Sequence, residues 1–98
     1  MDVLSRNEIE HIVKFLLVKY HAEYALLFGS YARNEATSSS DIDLIVFGGN
    51  DFKPQNIFAF GEDLRVMTNR NADVYEIREV DKGTPFYNNV IREGVRIA

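Results

Sequence analysis

With 98 residues, 46% of them hydrophobic and 27% charged, the chain has a globular composition, with room for one core but not for a separate substrate domain. A net charge of −4 argues against broad nucleic-acid binding, which depends on Lys and Arg at phosphates, and the lack of cysteine excludes disulfides and thiolate metal sites. No apolar run reaches the ~18 residues of a membrane span, so we expect one cytoplasmic domain over 1–98 with no membrane contact and no stable nucleic-acid binding.

The first predicted elements are a helix, a strand and a short turn. Ser5-Arg6-Asn7-Glu8 has the form of a capping box, and apolar residues from Ile9 to Tyr20 recur with helical spacing. The run "YALLF" (24–28) predicts a buried strand. Gly29-Ser30 then opens a turn or short helix that continues to about Asn34.

The second half of the chain continues the alternation. The runs "DIDLIVF" (41–47) and "ADVYEI" (72–77) predict strands, and an apolar stripe predicts a helix over 56–70 between them. Thr84-Pro85 resembles the start of a helix over 85–93 that Gly94 ends, and "VRI" (95–97) predicts a short last strand. The order predicts an α/β or α+β domain in which helices pack on one small mixed sheet.

Two carboxylates stand where an apolar strand is predicted to begin. Asp41 and Asp43 are two residues apart, so in a strand both project to the same side. Like charges this close repel, and one pKa rises unless a cation lies between them. Oxygen-only ligands suit Mg²⁺ or Mn²⁺. A solvated pair of acids at the strand start is the alternative interpretation.

Three further positions complete a candidate site. Asp73 begins the third strand, so the three acids converge if the second and third strands are neighbours; otherwise Asp73 is simply solvated. Gly29-Ser30 offers free amides and a hydroxyl to phosphate, although Ser30 is also a possible helix cap. Arg33 is predicted either to contact phosphate or to pair with Glu35. Three carboxylates beside a phosphate-binding turn indicate metal-dependent nucleotidyl transfer.

These residues carry a family resemblance. Gly29-Ser30, ten intervening residues and Asp41-x-Asp43 resemble the signature of the polymerase-β-like nucleotidyltransferase superfamily, and "GSYARNEATSSSDIDL" resembles its minimal nucleotidyltransferases. The similarity extends over nearly the whole chain, including "RNADVYEI" and "FYNNVIREG". Asn34 replaces the glycine that members often have after "AR"; Asn tolerates positive φ, so we expect the turn to be kept.

The resemblance implies a polymerase-β-like nucleotidyltransferase fold, ATP as donor and two Mg²⁺ ions, which Mn²⁺ can replace. One ion, on Asp41 and Asp43, grips the triphosphate bound by Gly29 and Ser30; the second is shared by all three acids, and Asp73 assists loss of the acceptor proton. The implied acceptor is a tyrosine of a HEPN-domain ribonuclease toxin, and the attached AMP inactivates the toxin. The chain is then the antitoxin of a HEPN/MNT toxin–antitoxin pair and is expected in a hetero-oligomer.

Two other functions stay open at this point. A non-catalytic antitoxin would neutralise its toxin by binding alone and keep the acids as relics. A nucleotidyltransferase acting on RNA ends or on a small molecule would resemble larger members of the superfamily. The acidic charge counts against RNA, and the short chain counts against a small-molecule acceptor.

Overall fold

The computed structural model of the chain describes residues 3–98, and its first helix, α1 (Arg6–Tyr20), starts as predicted. The backbone N–H of Glu8 donates to Ser5 Oγ at 3.1 Å, and the N–H of Ser5 donates to Glu8 Oε1 at 3.4 Å. These two bonds satisfy donors that the first helical turn otherwise leaves unpaired. The predicted capping box is therefore confirmed.

The remaining elements follow the predicted order. They are β1 (Tyr24–Phe28), α2 (Gly29–Ala32), β2 (Ile42–Phe47), α3 (Asn56–Thr68), β3 (Ala72–Glu76), a 3₁₀ turn (Ile77–Glu79), α4 (Pro85–Glu93) and β4 (Val95–Arg96). α4 begins with the predicted cap, since the N–H of Tyr87 donates to Thr84 Oγ1 at 3.2 Å. No helix within residues 3–98 combines the length and apolar character needed to cross a membrane.

Several predicted boundaries were wrong by one or two residues, each for a local reason. β2 begins at Ile42, so Asp41 lies just outside the strand. α3 stops at Thr68 because Asn69 adopts a left-handed conformation (φ 54°). β3 stops at Glu76 because the carboxylate of Glu76 caps the following 3₁₀ turn.

The four strands form one mixed sheet in the order β3-β2-β1-β4. β1 pairs antiparallel with both β2 and β4, whereas β2 and β3 are parallel. The predicted small mixed sheet is confirmed, and the second and third strands are neighbours, which is the condition for Asp73 to lie near Asp43. A parallel pair needs a crossover connection, which α3 supplies between β2 and β3.

Helices cover the two faces of the sheet. α1 and α3 pack on one face, where the side chains from β1, β2 and both helices are almost fully buried: Ile9, Val13, Leu16, Ala25, Leu27, Ile42, Leu44, Val46, Ile57, Phe60 and Leu64. α4 approaches the other face, where the ring of Phe86 meets those of Phe28 and Tyr75. Strand side chains alternate between faces, so Asp43 and Asp73 lie on the α4 side.

Candidate active site

A glycine forms the turn from β1 into α2. Gly29 has φ +70°, a region that favours glycine, and a Cβ placed there would collide with the carboxylate of Asp43. The absence of a side chain therefore lets the turn approach Asp43 directly. α2 is only four residues long, so the turn offers backbone amides to an anion while its macrodipole contributes little.

The far end of this turn is held from α1. Arg6 Nη2 donates to the carbonyls of Tyr31 and Ala32, both at 3.0 Å, and to Asn34 Oδ1 at 3.1 Å. Asn34 has φ 58°, as expected for the residue that replaces glycine. This role of Arg6 could not be predicted from the sequence, because 25 or more residues separate Arg6 from its acceptors and no local pattern links them.

Two of the three predicted acids stand side by side in the sheet. Asp43 on β2 is in register with Asp73 on β3 and, on its other side, with Phe28 at the end of β1. Asp41 precedes β2, and both Asp41 and Asp73 are exposed while Asp43 is half-buried. The fold thus places Asp43 between the Gly29 turn and Asp73.

The charges of Asp41 and Asp73 affect the pKa of Asp43. Burial raises the pKa of Asp43 from 3.8 to about 6, with further increases from the charges of Asp73 and Asp41 and a decrease from Arg33. A bound cation reduces the repulsion between crowded carboxylates, and a set of oxygen ligands alone suits Mg²⁺ or Mn²⁺. Over residues 3–98, no three His, Asp or Glu side chains are already grouped as metal ligands. A metal site shared by all three acids therefore stays a prediction, which the raised pKa supports.

Arg33 and Ser30 flank the turn in different ways. Arg33 Nε pairs with Glu35 Oε2 at 3.0 Å and Nη1 lies 3.8 Å from Glu93 Oε2, so its predicted ion pair is present. Both partners are largely exposed, and such pairs contribute little to stability. Ser30 is half-buried in α2, and its carbonyl accepts from the N–H of Glu35 at 2.9 Å. Phosphate contacts by Ser30 and Arg33 stay predictions.

An aromatic wall borders the acids. The ring centroid of Phe86 lies 5.7 Å from that of Phe28 and 5.5 Å from that of Tyr75, both in edge-to-face geometry. This wall could not be predicted from the sequence, because it forms only when α4 packs across the sheet. Tyr87, the next residue in sequence, lines a separate cavity with Phe47 and Ile77.

The raised pKa of Asp43 predicts a pH-dependent stability. Its carboxyl titrates near 3.8 when unfolded and at about 6 when folded, so stability falls as pH rises through this window. Asp43→Asn removes the ionisation and should be more stable than the wild type at about pH 7.5, by roughly 1 kcal/mol after discounting for solvent screening. Urea unfolding should show this gap closing towards about pH 4. A gap that persists unchanged at low pH contradicts the assignment.

Known proteins resemble the chain over nearly its full length. Residues 10–98 match the family described as "Polymerase beta, Nucleotidyltransferase". A protein of Methanocaldococcus jannaschii named "Putative protein adenylyltransferase" is 31% identical over 98 residues, covering 92% of this chain and 94% of its own length. A toxin–antitoxin crystal structure with AMP-PNP matches with a TM-score of 0.77 and 21% identity, over 91% of this chain and 72% of the other. One chain of a structure of tri-AMPylated Shewanella oneidensis HEPN toxin in complex with MNT antitoxin also matches, with a TM-score of 0.72 and 19% identity over 95% of this chain and 71% of that chain.

Proposed function

The chain belongs to the polymerase beta nucleotidyltransferase family, and from this premise we propose that it transfers AMP from ATP to a tyrosine hydroxyl of a HEPN-domain toxin. By this transfer it acts as the antitoxin of the pair. The name of the M. jannaschii relative supports a protein acceptor. The toxin–antitoxin structures with an ATP analogue and with an AMPylated HEPN toxin, which share this fold, support ATP as donor and a HEPN partner.

One structural observation carries the proposal: Asp43 lies between the Gly29 turn on one side and Asp73 on the other. Nucleotidyl transfer needs three functions side by side. These are hydrogen bonds to the leaving pyrophosphate, stabilisation of charge at the reacting phosphorus, and a group that accepts the proton of the acceptor hydroxyl. The row offers a backbone turn, a half-buried carboxylate and an exposed carboxylate in that order. The alternative, a solvated pair of acids, does not account for the contact between Asp43 and a turn that requires glycine.

Each residue of the row has a role in the proposed reaction. The backbone of Gly29 and the hydroxyl of Ser30 bind the outer phosphates of ATP. Asp41, Asp43 and Asp73 are the candidate ligands of two Mg²⁺ ions, which when bound neutralise phosphate charge and make the acceptor hydroxyl easier to deprotonate. Asp73 takes the acceptor proton as the acceptor oxygen bonds to the α-phosphorus. The bond from that phosphorus to pyrophosphate breaks, and pyrophosphate leaves.

Metal binding has a readout that is independent of activity. Because the acids repel one another in the folded state, Mg²⁺ or Mn²⁺ should raise the melting temperature of the wild type through binding to the native state. At a hundred times the dissociation constant of the ion, the linkage is worth ~2.7 kcal/mol. Asp43→Asn should lose most of the shift, whereas Asp51→Asn, at the opposite end of β2, should keep it. Equal shifts in all three proteins at matched ionic strength contradict the metal site.

The proposed function is tested by asking where labelled AMP goes. The protein is incubated with Mg²⁺, ATP labelled in its α-phosphate and the product of the neighbouring gene, which the proposal expects to be a HEPN-domain protein. We expect label on that protein, with an added AMP mass on a tyrosine peptide. Label on RNA or on a small molecule would reduce the assignment to nucleotidyltransferase. If Asp41→Asn and Asp43→Asn variants neutralise the toxin in cells as well as the wild type does, the function is non-catalytic binding.

A further inference from the structure

β3 is an edge strand whose outward-facing backbone groups can be identified from its register. The N–H of Ile42 donates to the carbonyl of Asn71 at 2.9 Å, and Ile42 is in register with Ala72. In a parallel pair the backbone groups of alternate residues face the neighbouring strand. The N–H and C=O groups of Ala72, Val74 and Glu76 therefore point away from β2, towards the open edge.

The two ends of this open edge are capped by side chains. Arg65 Nε donates to the carbonyl of Ala72 at 3.1 Å, and Glu79 Oε1 accepts from the N–H of Glu76 at 3.0 Å. Between the caps lie the N–H and C=O of Val74. These side chains block the two ends of the edge and so prevent a long strand from pairing with it. The backbone groups of Val74 between them are open to a short extended segment.

A groove follows this edge from α3 to the site. Its volume is about 230 Å³, and it is lined by Ile57, Phe58, Arg65, Asp73, Tyr75 and Glu79 along with Val74. Phe58 is 80% exposed, the most exposed large apolar side chain within residues 3–98. The groove thus joins an unpartnered aromatic ring to Asp73, a member of the proposed catalytic row.

The order of the strands sets the direction from which the acceptor approaches. Phe28, Asp43 and Asp73 form one row across β1, β2 and β3, with neighbouring strands about 4.8 Å apart. Gly29 follows Phe28, so the phosphate-binding turn lies on the β1 flank. Attacking and leaving oxygens stand roughly in line on opposite sides of the phosphorus. The acceptor hydroxyl therefore approaches over the open edge of β3.

We propose, resting on the proposed function, that the partner's acceptor segment docks as a short extended strand on the open edge of β3, paired with Val74. In an antiparallel pairing, the residue opposite Val74 places its side chain on the same face as Val74, towards Ile57 and Phe58. The next residue of the segment then stands on the Asp73 face. The acceptor tyrosine consequently has an apolar residue immediately beside it in sequence.

Charge favours a basic segment as the occupant. Asp73 and Glu79 line the groove, while the charge of Arg65 is already paired with Glu62 at 3.4 Å. The chain as a whole carries a net charge of −4. Lys and Arg further along the segment, beyond the two residues next to the acceptor, would be attracted to this edge, and acidic segments repelled.

The test compares two exposed phenylalanines. Phe58→Ala removes the groove contact, and Phe15→Ala removes a ring that is 56% exposed on α1, away from the groove. With the HEPN-domain protein as acceptor, Phe58→Ala should raise KM for that protein about tenfold with little change in kcat, the loss typical of one apolar anchor. Phe15→Ala should behave as the wild type, and all three proteins should show the same melting shift with Mg²⁺ and ATP.

The outcomes separate this inference from the proposed function. Equal KM values for the wild type and Phe58→Ala, or a labelled tyrosine with charged residues on both sides, overturn docking at the β3 edge while the transfer activity stands. A wild type that labels no protein overturns both. A tenfold KM change confined to Phe58→Ala, together with an apolar residue beside the labelled tyrosine, supports the docking mode.

Discussion

Asp41→Asn and Asp43→Asn should each reduce AMP transfer by at least about a thousandfold, equivalent to ~4 kcal/mol of transition-state stabilisation. The reason is that Asn keeps the size of the side chain but loses the charge that would hold a cation at the reacting phosphorus. The neighbouring acids cannot compensate, because Asp73 lies one strand further from the Gly29 turn. Single-turnover labelling of the HEPN-domain protein measures the effect.

A matched control separates this loss from a general effect of removing negative charge. Asp51→Asn makes the same chemical change in an exposed turn beyond the opposite end of β2, and should leave transfer unchanged. All three variants should still bind the HEPN-domain protein, since Asp41, Asp43 and Asp51 do not line the groove along β3. Retained transfer in either site variant contradicts the proposed mechanism directly.

Gly29→Ala should damage both stability and activity. Alanine in the left-handed region costs about 1–2 kcal/mol, and its Cβ would collide with the carboxylate of Asp43. Displacing that carboxylate adds about 1–3 kcal/mol of overpacking strain. In a domain of this size each kcal/mol lowers the melting temperature by about 4–8 °C. Thermal unfolding and AMP transfer, measured on the same preparation, report the two effects.

Gly83 provides the control for backbone strain alone. It has φ +84°, and a Cβ there would meet nothing within 4 Å. Gly83→Ala should therefore show only the left-handed backbone cost and keep its transfer activity. Similar stability losses in the two variants, with activity intact in both, would mean that the turn does not need to approach Asp43.

The local structure could be predicted from the sequence. Ser5 and Glu8 identified the start of α1, and Thr84 with Pro85 identified the start of α4, because helix caps involve residues only three positions apart. The first two strands were predicted over 24–28 and 41–47 from short apolar runs, within one residue of the observed bounds. Most of the candidate site was also evident from local patterns, namely a glycine at the end of a strand and two acids two residues apart.

Other features required contacts between distant parts of the chain. Arg6 holds the turn after β1 across 25 residues, and Phe86 completes the aromatic wall from the last helix. The pKa of Asp43 depends on burial and on Asp73, and neither can be read from residues next to it in sequence. Such contacts leave no periodic pattern, because they are set by how elements pack rather than by the spacing within one element.

The sequence by itself determined the elements, the turn glycine and the acids that are candidate metal ligands, because hydrophobic period, caps and residue chemistry are local properties. Only the tertiary structure decided that Asp43 and Asp73 are in register and that β3 is at the edge of the sheet. Strand order and register depend on pairing energies summed over the whole sheet. That pairing turned separate acids into a row with the Gly29 turn at one end and an open edge at the other.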